Sequence, residues 1–239
     1  MILLSLKLVL AHLIGDFVLQ PEKWVKHKTK NTYKSKYLYY HIAIHAAALL
    51  IILGFNTDYW LAFALIIPSH FLIDLGKLKV QTKKNKRWIF ALDQLLHLTV
   101  IAFVTQLYHP YFSEISELNI TKPLLLISCL IGVTSMTAII MRVIISKYNI
   151  KDYNEEKESI KNAGRTIGIL ERLFVFFFVI MGIWSGVGFL LTAKSVFRFG
   201  DLSRAKDRKL TEYVLIGTLI SFGIAILIGL IYLRLKEMI

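Results

Sequence analysis

Hydrophobic residues in this chain run in long stretches that are separated by short polar or charged segments. A helix needs about 20 mostly apolar residues to cross a bilayer, where its backbone must satisfy its own hydrogen bonds. Stretches of this kind lie at about residues 2–20, 37–55, 59–76, 88–108, 122–147, 168–192 and 212–234. The pattern predicts an all-α fold, a multi-pass transmembrane helix bundle with six or seven membrane segments.

The number of segments depends on the stretch 168–192. The polar segment that follows it, 193–209, holds six basic residues, yet simple alternation would place that segment outside the cell. Positively charged loops normally stay in the cytoplasm. The stretch is therefore either a re-entrant hairpin, broken near Gly182, Gly186 and Gly188, or a span at which the rule fails.

Two parts of the chain are expected on this pattern. Residues 1–110 form a four-helix membrane bundle, and residues 111–239 form a C-terminal membrane half with two or three spanning or re-entrant helices. Hydrophobic residues make up 56% of the chain and charged residues only 19%, which leaves little sequence for a soluble domain. The single cysteine can form no internal disulfide.

Basic residues are concentrated in two of the predicted loops. Loop 21–36 holds six lysines and one glutamate, and loop 77–87 holds six basic residues and no acidic one. The positive-inside rule places both loops in the cytoplasm and the N-terminus outside, in a multi-pass protein of the cell membrane. The net charge of +13 then favours membrane lipids, and not nucleic acid, as the partner.

Polar residues interrupt the first four apolar stretches in a regular way. Each stretch carries one pair of histidine or aspartate residues four positions apart, which lie on one helix face one turn apart. The pairs are His12 with Asp16, His41 with His45, His70 with Asp74, and Asp93 with His97. One such pair is a weak signal, whereas four pairs on four consecutive helices indicate a common site.

Depth in the membrane supports a common site. Counted from the predicted cytoplasmic helix ends at about 1.5 Å per residue, all eight residues lie roughly 4–13 Å into the membrane. The order within each pair reverses with the direction of the helix. The deeper layer contains His12, His45, His70 and His97, and the shallower layer contains Asp16, His41, Asp74 and Asp93.

Imidazole and carboxylate groups together are typical ligands of divalent transition metals. We expect all eight residues to be metal ligands or their immediate partners, with Zn first and Fe, Mn or Ni as alternatives. One or two ions fit this number of ligands. A metal with an open position activates water, and Asp16, Asp74 and Asp93 are the candidate general bases.

Several functions are compatible with this cluster. The first is a metal-dependent hydrolase that acts at the cytoplasmic side, with an anionic or lipid-linked substrate. The alternatives are a transporter or ion-conducting protein, a scaffold with a structural metal, and a buried Asp–His network that only holds helices together. The outer halves of the first four helices are almost wholly apolar, which disfavours a conducting path through them.

Two repeats suggest further organisation. Helices one and two read HxxxD, basic loop, HxxxH, and helices three and four read HxxxD, basic loop, DxxxH. This indicates a duplicated hairpin with a pseudo-twofold axis along the membrane normal. In the last stretch, Gly217, Ser221, Ala225 and Gly229 form a stripe of small residues that lets another helix approach. That helix belongs either to the same chain or to a second copy in a homo-oligomer.

At these residues the sequence resembles a known family. The segments AHLIGDFVLQ, HIAIH, HFLIDLGK and FALDQLLH resemble the bacterial membrane family called domain of unknown function 3307. The segments IGILERL, LLTAKSVFRF and EYVLIGTLIS are similar to longer members of that family. The N-terminal pattern is also distantly similar to membrane-bound metal-dependent hydrolases. The resemblance implies a multi-pass bacterial membrane protein with metal-dependent chemistry, and it supplies no substrate.

Overall fold

The computed structural model describes residues 2–82, 84–108, 121–146, 163–199 and 205–239. These residues form helices and connecting turns, and no strand occurs among them, as the apolar pattern predicts. The chain divides into two compact units, Met1–Ile131 and Gly132–Met238. The predicted boundary at residue 110 lies outside the described residues.

The first unit contains six α-helices. They are α1 (Ile2–Leu13), α2 (Glu22–Asn31), α3 (Lys36–Ile52), α4 (Trp60–Val80), α5 (Lys86–Tyr108) and α6 (Thr121–Ile131). A π-helical turn, Ile14–Val18, extends α1. Helices α1, α3, α4 and α5 form a ring in which each packs against two others, and α6 packs against α1.

Apolar residues fill one half of this four-helix bundle. They come from the start of α1 and α4 and from the end of α3 and α5, with Leu8, Leu49, Ala62 and Val104 almost completely buried. Burial of such side chains stabilises the bundle by roughly 1.5–3 kcal/mol each. The apolar half lies beyond the deeper histidine layer, on the side away from the aspartates.

The basic segment 21–36, predicted as a loop, is mostly helical. Helix α2 follows a sharp bend, and the helical segments Ile2–Val18 and Glu22–Lys34 meet at 84°. The ring of Trp24 stacks on that of Tyr37, with centroids 5.4 Å apart, and holds α2 against α3. The other basic segment is shorter than predicted, because α4 continues to Val80 and α5 begins at Lys86.

The second unit contains four α-helices. After a π-helical turn, Gly132–Met136, they are α7 (Thr137–Ile145), α8 (Ala163–Ile180), α9 (Trp184–Phe199) and α10 (Ala205–Glu237). The stretch 168–192 is broken between α8 and α9, where Gly182 adopts a positive φ of 73°. Lys194 pairs with Glu171 at 2.6 Å, so α9 returns along α8 as a helical hairpin. A break near Gly182 was one of the two alternatives for this stretch.

Fewer helices can cross a membrane than the sequence predicts. Among the described residues, four are long and apolar enough, namely Thr57–Val80, Lys86–Tyr108, Thr121–Ile145 and Glu212–Glu237, and a fifth span results if the bent pair at the N-terminus counts as one. The prediction of six or seven is therefore too high. It counted α3, which is apolar but has only 17 residues, and the stretch that the turn at Gly182 divides.

The small-residue stripe of α10 packs within its own unit. Ser221 accepts a hydrogen bond from Arg172 of α8 at 3.3 Å, and Ala225 is fully buried. A side chain at Gly229 would overlap Val179 of α8. Helix α8 therefore occupies the stripe, which corresponds to the same-chain alternative.

Arg172 also stabilises the π-helical turn of this unit. Its Nε donates to the carbonyl of Val133 at 2.7 Å, and its Nη2 donates to that of Thr134 at 3.3 Å. The π turn releases these carbonyls from regular helical pairing. A buried guanidinium satisfies them, since Arg172 is only 4% exposed.

Replacing Arg172 by alanine should destabilise the protein by about 3 kcal/mol, because buried carbonyls would lose a charged donor. Thermal unfolding in detergent would record this as a lower Tm. The matched control is Arg234→Ala, which removes an exposed guanidinium that pairs with Glu237 at 3.3 Å and should change the Tm little. Equal Tm values for the two variants would contradict the role given to Arg172.

Candidate metal centre

The eight histidine and aspartate residues singled out in the sequence are all buried in the first unit. They are His12, Asp16, His41, His45, His70, Asp74, Asp93 and His97. Seven of them form three overlapping groups in which the possible ligand atoms lie within 4.8 Å of one another. Asp93 belongs to none of these groups. The convergence of the four helices therefore brings the predicted residues together, with Asp93 at the edge.

Asp16, His41, His45 and His70 form the largest group. Oδ1 of Asp16 lies 3.1 Å from Nε2 of both His41 and His45. Nε2 of His70 lies 3.6 Å from the same oxygen and 3.1 Å from Nε2 of His41. Ligand atoms about 2.0–2.1 Å from a tetrahedral Zn²⁺ stand about 3.3–3.4 Å from each other. The four side chains thus have the spacing of a tetrahedral metal site.

The charges of the cluster favour a cation at this position. Lys28 pairs with Asp74 at 2.7 Å, and Lys77 pairs with Asp93 at 2.6 Å. Within the described residues, Asp16 has no lysine or arginine at ion-pair distance, only histidines. With neutral histidines the cluster therefore has one negative charge in excess. A buried charge without a partner is costly, so the site suits a divalent cation.

His97 is oriented as a metal ligand would be. Its Nδ1–H donates to the backbone carbonyl of Asp93 at 2.8 Å, which leaves the lone pair on Nε2. That nitrogen is buried and has no hydrogen-bond partner among the described residues. Metal-binding histidines commonly donate the other ring N–H to a carbonyl or carboxylate, which fixes the tautomer. His97 therefore fits a metal better than it fits a simple hydrogen-bond network.

Gln94 joins the two sides of the cluster. Its amide donates to Oδ2 of Asp16 at 3.0 Å and to Oδ2 of Asp93 at 3.1 Å. Its Oε1 lies 3.2 Å from Nε2 of His12. Gln20 approaches His41 from the other side at 2.9 Å. These amides hold the rings and carboxylates in place, as outer partners of metal ligands do.

A small cavity of about 20 Å³ lies beside the cluster. This volume is enough for about one water molecule. Its polar lining includes the four histidines predicted to form the deeper layer, His12, His45, His70 and His97. A water in this cavity would lie beside the ligands, between them and the apolar half of the bundle.

The sequence did not indicate three residues on which the site depends. Lys28 and Lys77 were counted as loop charges that set orientation, yet each neutralises a buried aspartate. Gly15 allows close approach of His45, since a Cβ at this position would overlap the imidazole. No local signal distinguishes these two lysines from the other basic residues around them.

Fold and cluster together define a helical protein with apolar helices long enough to cross a membrane and a buried His/Asp site. The family model described as "Protein of unknown function (DUF3307)" matches residues 4–126. The chain belongs to this family. The match covers all eight cluster residues, and the similarity of the C-terminal segments to longer members stays a prediction.

Comparison with curated proteins and with solved structures found no match. The resemblance to metal-dependent hydrolases and the bacterial origin therefore stay predictions, and the activity has to be inferred from the site itself.

Replacing Lys28 by methionine should destabilise the protein by about 3–5 kcal/mol, because Asp74 would be left as a buried charge without a cation. Thermal unfolding in detergent measures the change. Lys26→Met is the matched control, since Lys26 pairs with Glu22 at the exposed surface of the same helix. The double variant Lys28→Met, Asp74→Leu should recover most of the loss. A double variant as unstable as Lys28→Met would refute the pairing argument.

Proposed function

We propose that the protein is an integral membrane metalloprotein that catalyses metal-dependent hydrolysis at the cytoplasmic side of the membrane. The observation that carries the proposal is the tetrahedral spacing of Asp16, His41, His45 and His70 around a position with excess negative charge. Zn²⁺ suits this set of one carboxylate and three imidazoles best, with Fe, Mn or Ni as alternatives.

The proposed chemistry divides the three candidate bases by role. A bound divalent metal would supply Lewis acidity and lower the pKa of a bound water. Asp16 is a ligand in this scheme, and Lys28 holds Asp74 at 2.7 Å. Asp93 is the best general base, because Lys77 keeps Oδ2 ionised while Oδ1 is buried and has no partner among the described residues.

Orientation follows from the positions of the basic residues. Lys28, Lys77 and the basic segment between α4 and α5 lie at one end of the first unit, on the aspartate side of the cluster. The positive-inside rule assigns this end to the cytoplasm. The apolar core on the other side supports an enzyme over a transporter, since a conducting path would have to pass through it.

A groove between α4 and α5 supports a lipid or lipid-linked substrate. It has a volume of about 340 Å³. Its lining includes the apolar residues Leu72, Val80, Leu92 and Leu96, together with Lys77 and Asp93. Both helices are long and apolar enough to span a membrane, and Leu72 is 63% exposed. An acyl chain in the groove would bring its headgroup towards Lys77 and Asp93.

A scaffold with a structural metal is the second candidate. Structural zinc sites have four protein ligands, whereas catalytic sites keep a position for water. The group of Asp16 and three histidines supplies four protein ligands by itself. Hydrolysis therefore requires a further position that is open to water.

Metal content tests the proposal. The full-length protein, purified in detergent, should contain stoichiometric zinc or another divalent metal by elemental analysis. The variant His41→Ala, His45→Ala should lose more than about tenfold of the bound metal, because two ligands are removed. His27→Ala is the control, since His27 bonds Ser35 outside the cluster.

Circular dichroism and gel filtration would show that each variant is folded. Negligible metal in the wild-type protein after incubation with Zn²⁺ would overturn the proposal, and so would equal metal in all three proteins.

Occupation of the groove has its own test. Gly76 lines the groove, and a Cβ there meets no other atom. Gly76→Phe should lower photolabelling of the protein by an anionic phospholipid with a diazirine in one acyl chain. The loss should be about tenfold if two methylene contacts are removed. Gly223→Phe, at another open glycine of a spanning helix, should leave labelling unchanged. Equal labelling of both variants would exclude the groove as the lipid site.

A further inference from the structure

We infer that the cluster holds two metal ions, bridged by Asp16, and that the second ion has the open coordination position. The first ion is the one bound by Asp16, His41, His45 and His70. The second position is formed by His12, His97 and the other oxygen of Asp16. It rests on the proposed function, since both positions share the same carboxylate.

The two oxygens of Asp16 face different histidines. Oδ1 lies 3.1 Å from Nε2 of His41 and of His45. Oδ2 is the oxygen nearest to His12, with Nε2 of that ring at 3.8 Å, and it accepts the amide of Gln94 at 3.0 Å. A carboxylate with one oxygen towards each position can bridge two ions, which in two-metal sites stand about 3.5–4 Å apart.

The groups of ligand atoms are compatible with two ions. His12, Asp16 and His97 form a group of their own, and its histidines differ from the three of the first group. The third group, His70 with Asp74 and His97, shares a histidine with each of the others. Its carboxylate is also held by Lys28 at 2.7 Å. The arrangement that uses each histidine once therefore has two ions.

Two observations point to a ligand at the second position. The buried Nε2 of His97 has no partner among the described residues, although its tautomer presents a lone pair. The cavity of about 20 Å³ is lined by His12 and His97 and has room for about one water. Three protein ligands beside a water-sized cavity are the arrangement of a catalytic zinc site. The first position, with four protein ligands, is the structural one.

Metal stoichiometry tests this inference on the full-length protein in detergent, titrated with Zn²⁺ or Co²⁺ and analysed for metal after gel filtration. The wild type should bind two equivalents, and the variant His12→Ala, His97→Ala should bind one. His27→Ala should keep two. One equivalent in the wild type would overturn the second position and leave the proposed function in place, whereas none would overturn both.

A spectroscopic measurement on the wild type avoids dependence on a variant that fails to fold. Visible absorption of the Co²⁺ protein should show two successive bands during titration. Azide, a small anion that binds open metal positions, should shift the second band and leave the first unchanged. Two bands with no response to azide would overturn the open position, and a response of the first band would place the open position on the wrong ion.

Discussion

The carboxylate of Asp16 is the constraint on which the first unit depends. It lies inside a helix bundle among histidines, and no lysine or arginine stands at ion-pair distance within the described chain. A carboxylate in such surroundings is costly unless charge or hydrogen bonds compensate it. The π turn at Ile14–Val18, the absent side chain at Gly15 and the amide of Gln94 all adapt the bundle to this group.

The other two carboxylates are compensated in a different way. Lys28 reaches Asp74 from the helix that follows the bend, and Lys77 reaches Asp93 from the next helix of the bundle. Each lysine couples a basic segment at the membrane surface to the buried cluster. Charges that orient the chain in the membrane therefore also neutralise two of its three buried aspartates, which leaves Asp16 to attract a metal.

The two units use irregular helices for related purposes. In the first unit, the π turn at Ile14–Val18 contains Asp16. In the second, the π turn at Gly132–Met136 exposes carbonyls that the buried Arg172 satisfies. Both turns combine a local break in helical pairing with a buried polar side chain. The family match covers the first unit almost entirely, so the proposed chemistry belongs to the shared part of the chain.

The sequence by itself determined the helical fold, the four polar pairs and their two layers. These follow from local rules, since helical period and rise fix which residues share a face and a depth. Only the tertiary structure decided that Lys28 and Lys77 enter the cluster, that Asp93 stands apart from the ligand groups and that residues 22–31 form a helix. These features depend on how helices rotate and approach one another. Hydropathy does not encode that geometry, and a lysine that binds a buried aspartate looks in sequence like any other basic residue.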